Sequence, residues 1–273
     1  MSVLDQLPPR ALGAEGAPLH FGLEGERGRR LLWLDGKPAY ELSLWCGTCP
    51  FLFERLEGAN RSLSLPELSE RLAGGLERVD EAVLAAVSPL LPPGEYLPLL
   101  EELAPRLVMP AGPGDYFAGE QVATWGIDRF WGLPEYPRTP YYRAVSAHVE
   151  PGARLFEFVV PMVPPTWNDP AVVAGHAERL AAGSAATCLA VATLDICQPA
   201  DWDDATQDGL VHWGLTHFVL DGHHKLQAAA EGGRRLRLLS LLALEQSLAN
   251  RDELLRLPGI LAGSESGSES GSE

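Results

Sequence analysis

The chain has little that would favour a membrane protein or a disulfide scaffold. None of its 273 residues belong to an apolar stretch approaching the roughly 18 uninterrupted residues that a membrane-spanning helix requires. The opening segment, Met1 to Asp5, lacks the basic-then-apolar order of a signal peptide. Four cysteines are too few for a disulfide scaffold in a chain of this length. We therefore expect a soluble, cytoplasmic protein that does not bind membranes.

Positive charge is also scarce. The chain has 21 Lys and Arg residues against 37 Asp and Glu residues, which gives a formal net charge of −16. A surface of this sign repels phosphate backbones unless a local basic patch outweighs it, so nucleic-acid binding is disfavoured. A hydrophobic content of 46% is enough for one large core or two smaller ones, and we expect two domains.

The N-terminal part combines short apolar runs with proline-rich breaks. Runs between residues 19 and 45, with the hairpin signal Asp35-Gly36, predict a small antiparallel β element. Residues 51–56 and 97–107 are interpreted as helical. Residues 65–87 have apolar residues at helical spacing after Pro66, and we expect these helices to cover the sheet.

The pair Cys46 and Cys49 lies in the run Trp-Cys-Gly-Thr-Cys-Pro. This run resembles the signature of thioredoxin-like oxidoreductases, in which a helix N-terminus lowers the pKa of the first thiol. The helical and Pro-rich residues that follow do not supply the further strands of that fold. Three interpretations stay open: a redox pair, a zinc site completed by two other ligands, and a structural turn that docks the two halves.

Residues 112–143 are rich in aromatic residues, glycine and proline. Such a loop can stack a nucleobase or close over a substrate, and it can equally pack against a neighbouring domain. Glu120 is a candidate for the substrate site.

The C-terminal part has a different predicted order of elements, which is strand, helix, strand, strand, helix. The predicted elements are the strand 155–160, the helix from Asp169-Pro170 to about Ala182, the strands 187–196 and 216–220, and the helix 226–231 stopped by Gly232-Gly233. Residues 236–244 fit a strand or a helix, and periodicity does not decide between them. The Gly-Ser-Glu repeat of residues 263–273 predicts a disordered tail.

The run Asp221-Gly222-His223-His224-Lys225 stands between a predicted strand and a predicted helix. A glycine there lets the backbone approach a ligand, and the helix N-terminus offers unpaired N–H groups to an anion such as phosphate. Two imidazoles and an ammonium in the first helical turn are unfavourable to the helix dipole, which indicates a functional reason for them. In the alternative interpretation Asp221 caps the helix and the histidines are exposed.

This run resembles the nucleotide-phosphate motif of the ParB/sulfiredoxin superfamily. Its free-serine kinases carry Asp-Gly-His-His-Arg, and this chain has Lys225 at the arginine position. Sulfiredoxins have a cysteine where His223 stands, so reduction of a sulfinic acid by a thiol at that place is excluded. The Val159 to Ala171 segment is also similar to the first strand and the Asp-Pro-initiated helix of the superfamily. The likeness covers about 95 residues.

The resemblance implies an α+β fold with a ParB/sulfiredoxin-like domain at residues 144–262, after a β-hairpin and helical region at residues 1–143. It implies binding of ATP or another nucleotide by Gly222, His224, Lys225 and Arg179. It also implies magnesium on Asp221, with Asp221, His223 and His224 acting in catalysis. The general base toward an acceptor hydroxyl is not fixed by the motif, and Glu157 and Asp169 are candidates.

The function we expect is a nucleotide-dependent phosphotransferase or nucleotide hydrolase, most concretely an ATP- or ADP-dependent kinase of a small polar, hydroxyl-bearing metabolite. Two alternatives stay open. One is a noncatalytic regulator that responds to a nucleotide, and the other is a thiol-redox or zinc protein centred on Cys46 and Cys49.

Overall fold

The computed structural model describes residues 2–25, 28–43, 52–63, 66–125, 137–197 and 211–263. The predictions made for Cys46, Cys49 and the tail segment 264–273 lie outside the described residues. Gly263, which we assigned to the tail, is instead the last residue of a helix.

The described residues form strands and helices in an α+β arrangement dominated by one large mixed sheet. The strands are β1 (Ser2–Gln6), β2 (Arg10–Leu12), β3 (Leu19–Glu24), β4 (Arg29–Leu34), β5 (Lys37–Leu42), β6 (Phe53–Arg55), β7 (Gly94–Leu103), β8 (Arg106–Val108), β9 (Tyr141–Glu150), β10 (Ala153–Pro161), β11 (Thr187–Cys197), β12 (Val211–Asp221) and β13 (Leu236–Ala243). The helices are α1 (Pro66–Gly74), α2 (Glu81–Val87), α3 (Glu120–Trp125), α4 (Pro170–Ala181), α5 (His223–Glu231) and α6 (Arg251–Gly263). None of the described helices is long and apolar enough to cross a membrane.

The large sheet has nine strands in the described residues. Its order is β1-β7-β13-β11-β12-β10-β9-β8, and β2 also pairs with β7. The pairs β10/β12 and β11/β13 are parallel, and the other pairs are antiparallel. Strand β11 at the centre is buried along almost its whole length, as its nearly continuous apolar sequence predicts.

The predicted order of C-terminal elements is confirmed. It is the order of β10, α4, β11, β12 and α5. Helix α4 begins as predicted, because Asp169 Oδ1 accepts a hydrogen bond from the Ala171 N–H (2.8 Å) and Pro170 takes the first helical position. Helix α5 ends at Glu231 with Gly232 as its C-cap, and residues 236–243 form a strand that pairs with both β11 and β7.

The N-terminal part supplies strands to the same sheet. Strand β7 lies beside β13, and the boundary that we predicted at residues 143 and 144 falls inside β9. The two predicted segments therefore share one sheet.

Two N-terminal predictions were wrong. Residues 53–55 form strand β6 rather than part of a helix, and residues 97–103 belong to strand β7. Strand β7 is buried on both faces, so its apolar residues run consecutively and do not alternate. A short consecutive apolar run is compatible with either a buried strand or a buried helix.

The small sheet β3-β4-β5-β6 confirms the antiparallel element predicted near residues 19–45. Its β4–β5 turn has positive φ angles at Asp35 (49°) and Gly36 (73°), as the Asp-Gly hairpin signal predicts. This sheet and helices α1 and α2 share an apolar core with one face of the large sheet. Tyr116, Phe117 and Tyr141 of the aromatic segment are also buried in that core, where they pack against its apolar residues.

Helices cover the other face of the large sheet in two places. Helices α4 and α5 pack on one apolar cluster, and α6 packs on a second.

Candidate functional site

The turn between β12 and α5 has a backbone that glycine alone fits. Gly222 has φ +99°, a left-handed conformation, and a Cβ atom there would lie 2.5 Å from Cys188 Sγ. The Cys188 thiol donates a hydrogen bond to the Gly222 carbonyl oxygen (3.3 Å). Burial raises the pKa of this thiol to about 12, so Cys188 acts as a packing residue under the turn and not as a nucleophile.

The N-terminus of α5 has no side-chain cap among the described residues. In the alternative that we considered from the sequence, Asp221 caps this helix, and that alternative is wrong. The Asp221 carboxylate instead accepts hydrogen bonds from Ser69 Oγ (3.0 Å) and Lys225 Nζ (3.3 Å). By contrast, Asp80 caps α2 and Asp169 caps α4. No side chain in the described ranges therefore pairs with the first N–H groups of α5, which stand at the positive end of its dipole.

Lys225 is buried, with 5% of its surface exposed. Its ammonium donates to the Thr187 carbonyl oxygen (2.9 Å) as well as to Asp221. A buried ammonium is stable only when it is paired and hydrogen-bonded, and both conditions are met here. Lys225 thus holds Asp221 against the end of β11, and it still lines the pocket described below.

Two imidazoles beside the turn are each fixed in one tautomer. His224 Nε2 accepts a hydrogen bond from the Asp169 backbone N–H (3.1 Å), which places the ring hydrogen of neutral His224 on Nδ1. His176 Nδ1 accepts from the Arg179 guanidinium (2.9 Å), so its ring hydrogen is on Nε2. Burial, and then the positive charge of Arg179, lowers the pKa of His176 to about 4. The ring of His176 is therefore neutral at neutral pH, and each ring carries an N–H on the nitrogen that does not accept.

These groups border one pocket with a volume of about 290 Å³. Its lining residues are Ser69, Glu70, Ala73, His176, Asp221, Gly222, His224 and Lys225. Ser69 and Glu70 come from α1, and His176 comes from α4. None of the three was predicted for this site from the sequence, because nothing in their local sequence connects them with residues 221–225.

Two residues expected in this site are placed elsewhere. His223 is buried, its Nε2 has no hydrogen-bond partner in the described residues, and it does not line the pocket. Burial lowers the pKa of His223 to about 4 against a smaller opposing effect of Asp221. Arg179 is exposed and reaches the site only through His176.

Glu157 lies inside the protein. It has no exposed surface and faces His217, with a distance of 3.1 Å between Glu157 Oε1 and His217 Nε2. Glu101 Oε2 lies 4.0 Å from the same nitrogen. The pKa of Glu101 is raised well above its ordinary value by burial and then by repulsion from Glu157. These three residues do not line the pocket at Gly222, and they form a separate buried cluster.

A larger cavity of about 630 Å³ lies beside α3, β9 and β10. Glu120 lines it and pairs with Arg143 (2.6 Å). Both ring nitrogens of His212, another lining residue, have partners, at Tyr116 (2.8 Å) and Thr124 (3.2 Å). These polar groups satisfy one another, so we place the candidate site at Gly222.

Comparison of the chain with protein-family models, with curated proteins and with solved structures found no significant match. The assignment of a function therefore depends on the geometry of the site.

Proposed function

We propose that the pocket at Gly222 binds the phosphates of a nucleotide and that the protein transfers a phosphoryl group from it to a small polar metabolite. The observation that carries this proposal is the uncapped N-terminus of α5, which lies beside a pocket lined by two histidines and a lysine. Unpaired backbone N–H groups and the positive end of a helix dipole form an anion site. The pocket is at the lower limit of ligand-site volumes, which suits a phosphate chain better than a whole nucleotide.

The proposed roles follow from the hydrogen atoms each group can offer. The N–H groups at the start of α5, His224 Nδ1–H and His176 Nε2–H would donate to phosphate oxygens. Phosphoryl transfer needs mainly positioning and charge stabilisation, and fixed neutral donors supply both without reorganising during the reaction. Lys225 would support the turn from beneath, and its charge is balanced by Asp221.

A general base must lie within reach of the acceptor hydroxyl. Glu157 is buried away from the pocket, and Asp169 caps α4 through its side chain. Glu70 lines the pocket and is exposed, so we propose Glu70 for this role.

Magnesium on Asp221 fits the structure poorly. Each carboxylate oxygen of Asp221 already has a hydrogen-bond partner, and one of these partners is the ammonium of Lys225. A divalent cation at the carboxylate would be repelled by this ammonium. We therefore assign no step to a metal on Asp221 and propose that the side chain positions Lys225 and Ser69.

The architecture supports a ParB/sulfiredoxin-like assignment of the C-terminal part. Strands β10 to β13 with helices α4 and α5 place the motif at a strand-to-helix turn, and α4 follows the Asp-Pro start. The assignment stays a proposal, as does the nucleotide.

The test measures binding of ATP, ADP and CTP with and without magnesium, followed by transfer of a radiolabelled γ-phosphate to pooled metabolites. We expect His224→Ala and His176→Ala each to weaken nucleotide binding, since each removes one donor. Glu70→Gln should retain binding and lose transfer. His20→Ala is the matched control, because His20 is an exposed histidine stacked on Trp33 and far from α5 in the topology.

The outcomes separate the open alternatives. Binding that depends on His224 without transfer would favour a nucleotide-responsive regulator. An absence of nucleotide binding by the wild-type protein would overturn the proposal and direct attention to Cys46 and Cys49.

A further inference from the structure

A polar band crosses the face of the large sheet that is covered by α4, α5 and α6. On each of four strands, one polar residue stands between two apolar residues of the same face. The triplets are Leu99-Glu101-Leu103 on β7, Leu155-Glu157-Val159 on β10, Leu215-His217-Val219 on β12 and Leu238-Ser240-Leu242 on β13. Residues two apart share a face of a strand, so these polar side chains face the same layer.

The band separates the two apolar clusters. The flanking residues at one end of each triplet pack in the cluster with α6, and those at the other end pack in the cluster with α4 and α5. Glu101, Glu157, His217 and Ser240 all have 0% of their surface exposed. Four such residues in the middle of a core are costly, because water does not solvate them.

The hydrogen bonds of the described residues do not satisfy this cluster. His217 uses Nδ1 toward Ser240 Oγ (2.8 Å) and Nε2 toward Glu157 Oε1 (3.1 Å). Neither oxygen of Glu101 has a hydrogen-bond partner in the described part of the chain, and neither does Glu157 Oε2. Two carboxylates this close and this dry repel each other, and a cation between them would offset that repulsion.

The three side chains have the donor set and the spacing for a cation. One ligand atom from each of Glu101, Glu157 and His217 lies within 4.8 Å of the others. Ligands at about 2.0 to 2.2 Å from one ion are separated by roughly 3 to 3.5 Å, so the 3.1 Å distance fits and the 4.0 Å distance needs a small shift of Glu101.

An imidazole among the ligands favours a first-row transition ion over magnesium or calcium, which prefer oxygen. If His217 donates its Nδ1–H to Ser240, the Nε2 lone pair is turned toward the carboxylates, and Ser240 then orients the metal ligand.

We propose that Glu101, Glu157 and His217 bind one divalent transition-metal ion, such as zinc, as a structural link between β7, β10 and β12. Two carboxylates and one divalent ion are neutral together, which removes the cost of the buried charge. The site joins an N-terminal strand to two strands of the C-terminal part. It does not depend on the proposed function, because none of its ligands lines the pocket at Gly222.

The test uses the full chain with Cys46→Ser and Cys49→Ser, so that the cysteine pair cannot hold the metal. The protein is unfolded with chelator, refolded with or without Zn²⁺, and analysed by elemental mass spectrometry after gel filtration. We expect about one zinc ion per chain and a higher thermal midpoint with zinc. Refolding with Co²⁺ should give visible absorption without a thiolate charge-transfer band.

Glu101→Gln is the decisive variant, since it keeps the shape of the side chain and removes the charge. We expect its metal content to fall at least about tenfold, while Glu102→Gln, its neighbour on β7, retains the metal. The proposal is overturned if the protein lacking Cys46 and Cys49 binds no zinc and its thermal midpoint does not respond to zinc. It is also overturned if Glu101→Gln binds zinc as the parent does.

Discussion

Two buried carboxylate sites lie in the large sheet, and their surroundings differ sharply. Asp195 on β11 faces Arg30 of the small sheet, which donates two hydrogen bonds to it (3.0 and 3.1 Å) and two more to the carbonyl oxygens of Ser43 and Gln246. The Leu248 N–H also donates to Asp195 Oδ1 (3.1 Å). Glu101, equally buried, faces the carboxyl group of Glu157 and accepts no hydrogen bond from an N–H or hydroxyl donor in the described residues.

The difference separates a structural ion pair from a binding site. Asp195 and Arg30 neutralise each other and use their remaining hydrogen-bonding capacity on the backbone, so their geometry is complete. Glu101 and Glu157 have like charges and need a proton or a cation from outside. A buried polar group whose partners are missing therefore points to a ligand, whereas burial by itself does not.

The largest change in the free energy of unfolding is expected from breaking the ion pair between Arg30 and Asp195. Arg30→Met leaves Asp195 buried without its cation and should lower the free energy of unfolding by about 3 to 5 kcal/mol. Arg29→Met is the control, because the Arg29 side chain is 43% exposed and its ion pairs should contribute no more than about 1 kcal/mol. Urea unfolding of both variants measures the difference, and equal losses would contradict the comparison.

His223 is a third kind of buried group, because its imidazole stays neutral. Its pKa in the folded protein, about 4, is below the ordinary 6.5, so the unfolded chain binds the proton more readily. The contribution of neutral His223 to the free energy of unfolding is fully present above pH 6.5 and is lost as the pH falls through 4. The total loss is about 3 kcal/mol. Unfolding measured between pH 7 and pH 4 should be less pH-dependent in His223→Gln. An unchanged slope would show that this ring is not protonated on unfolding.

Replacing Glu101 is expected to stabilise the protein, whereas the changes above destabilise it. In metal-free protein, Glu101→Met should raise the free energy of unfolding by about 1 to 3 kcal/mol, because an apolar side chain replaces an unpaired carboxyl group and leaves Glu157 with His217 alone. Asp195→Leu should lower it, since Arg30 loses its partner. Denaturation in chelator measures both, and a destabilised Glu101→Met variant would contradict the argument that this carboxyl group is uncompensated.

The smallest effect is expected from Ser240→Ala. Loss of one hydrogen bond to His217 Nδ1 should cost about 0.5 to 1.5 kcal/mol in metal-free protein. The same change should weaken zinc binding by about 10- to 100-fold, because Ser240 orients the imidazole. Zinc titration compares this variant with Ser146→Ala, an exposed serine on β9. Equal zinc affinities would remove Ser240 from the site.

Local sequence signals predicted local structure well. The Asp35-Gly36 turn, the Asp169-Pro170 start of α4 and the Gly232 end of α5 are all confirmed. Each is determined by backbone conformation or by hydrogen bonds within a few residues. The same kind of signal failed for β7, where burial on both faces removed the alternation that identifies a strand.

The candidate site was only half predictable. The turn at Gly222 follows from the sequence, but Ser69 and His176 reach the pocket because α1 and α4 pack beside α5. Glu157 was a candidate for the general base, because the resemblance implies an acidic residue in that role, and the structure puts it in the buried cluster instead.

The sequence by itself determined the acidic charge, the order of the C-terminal elements and the glycine turn before α5, because these depend on composition, short-range hydrogen bonds and allowed φ angles. Only the tertiary structure decided that Glu101 meets Glu157 and His217. These residues come from strands that are distant in the chain, and the pairing of β7 with β13 and of β10 with β12 brings them into one layer. Strand order and register are long-range properties, so the buried cluster has no signature in the sequence.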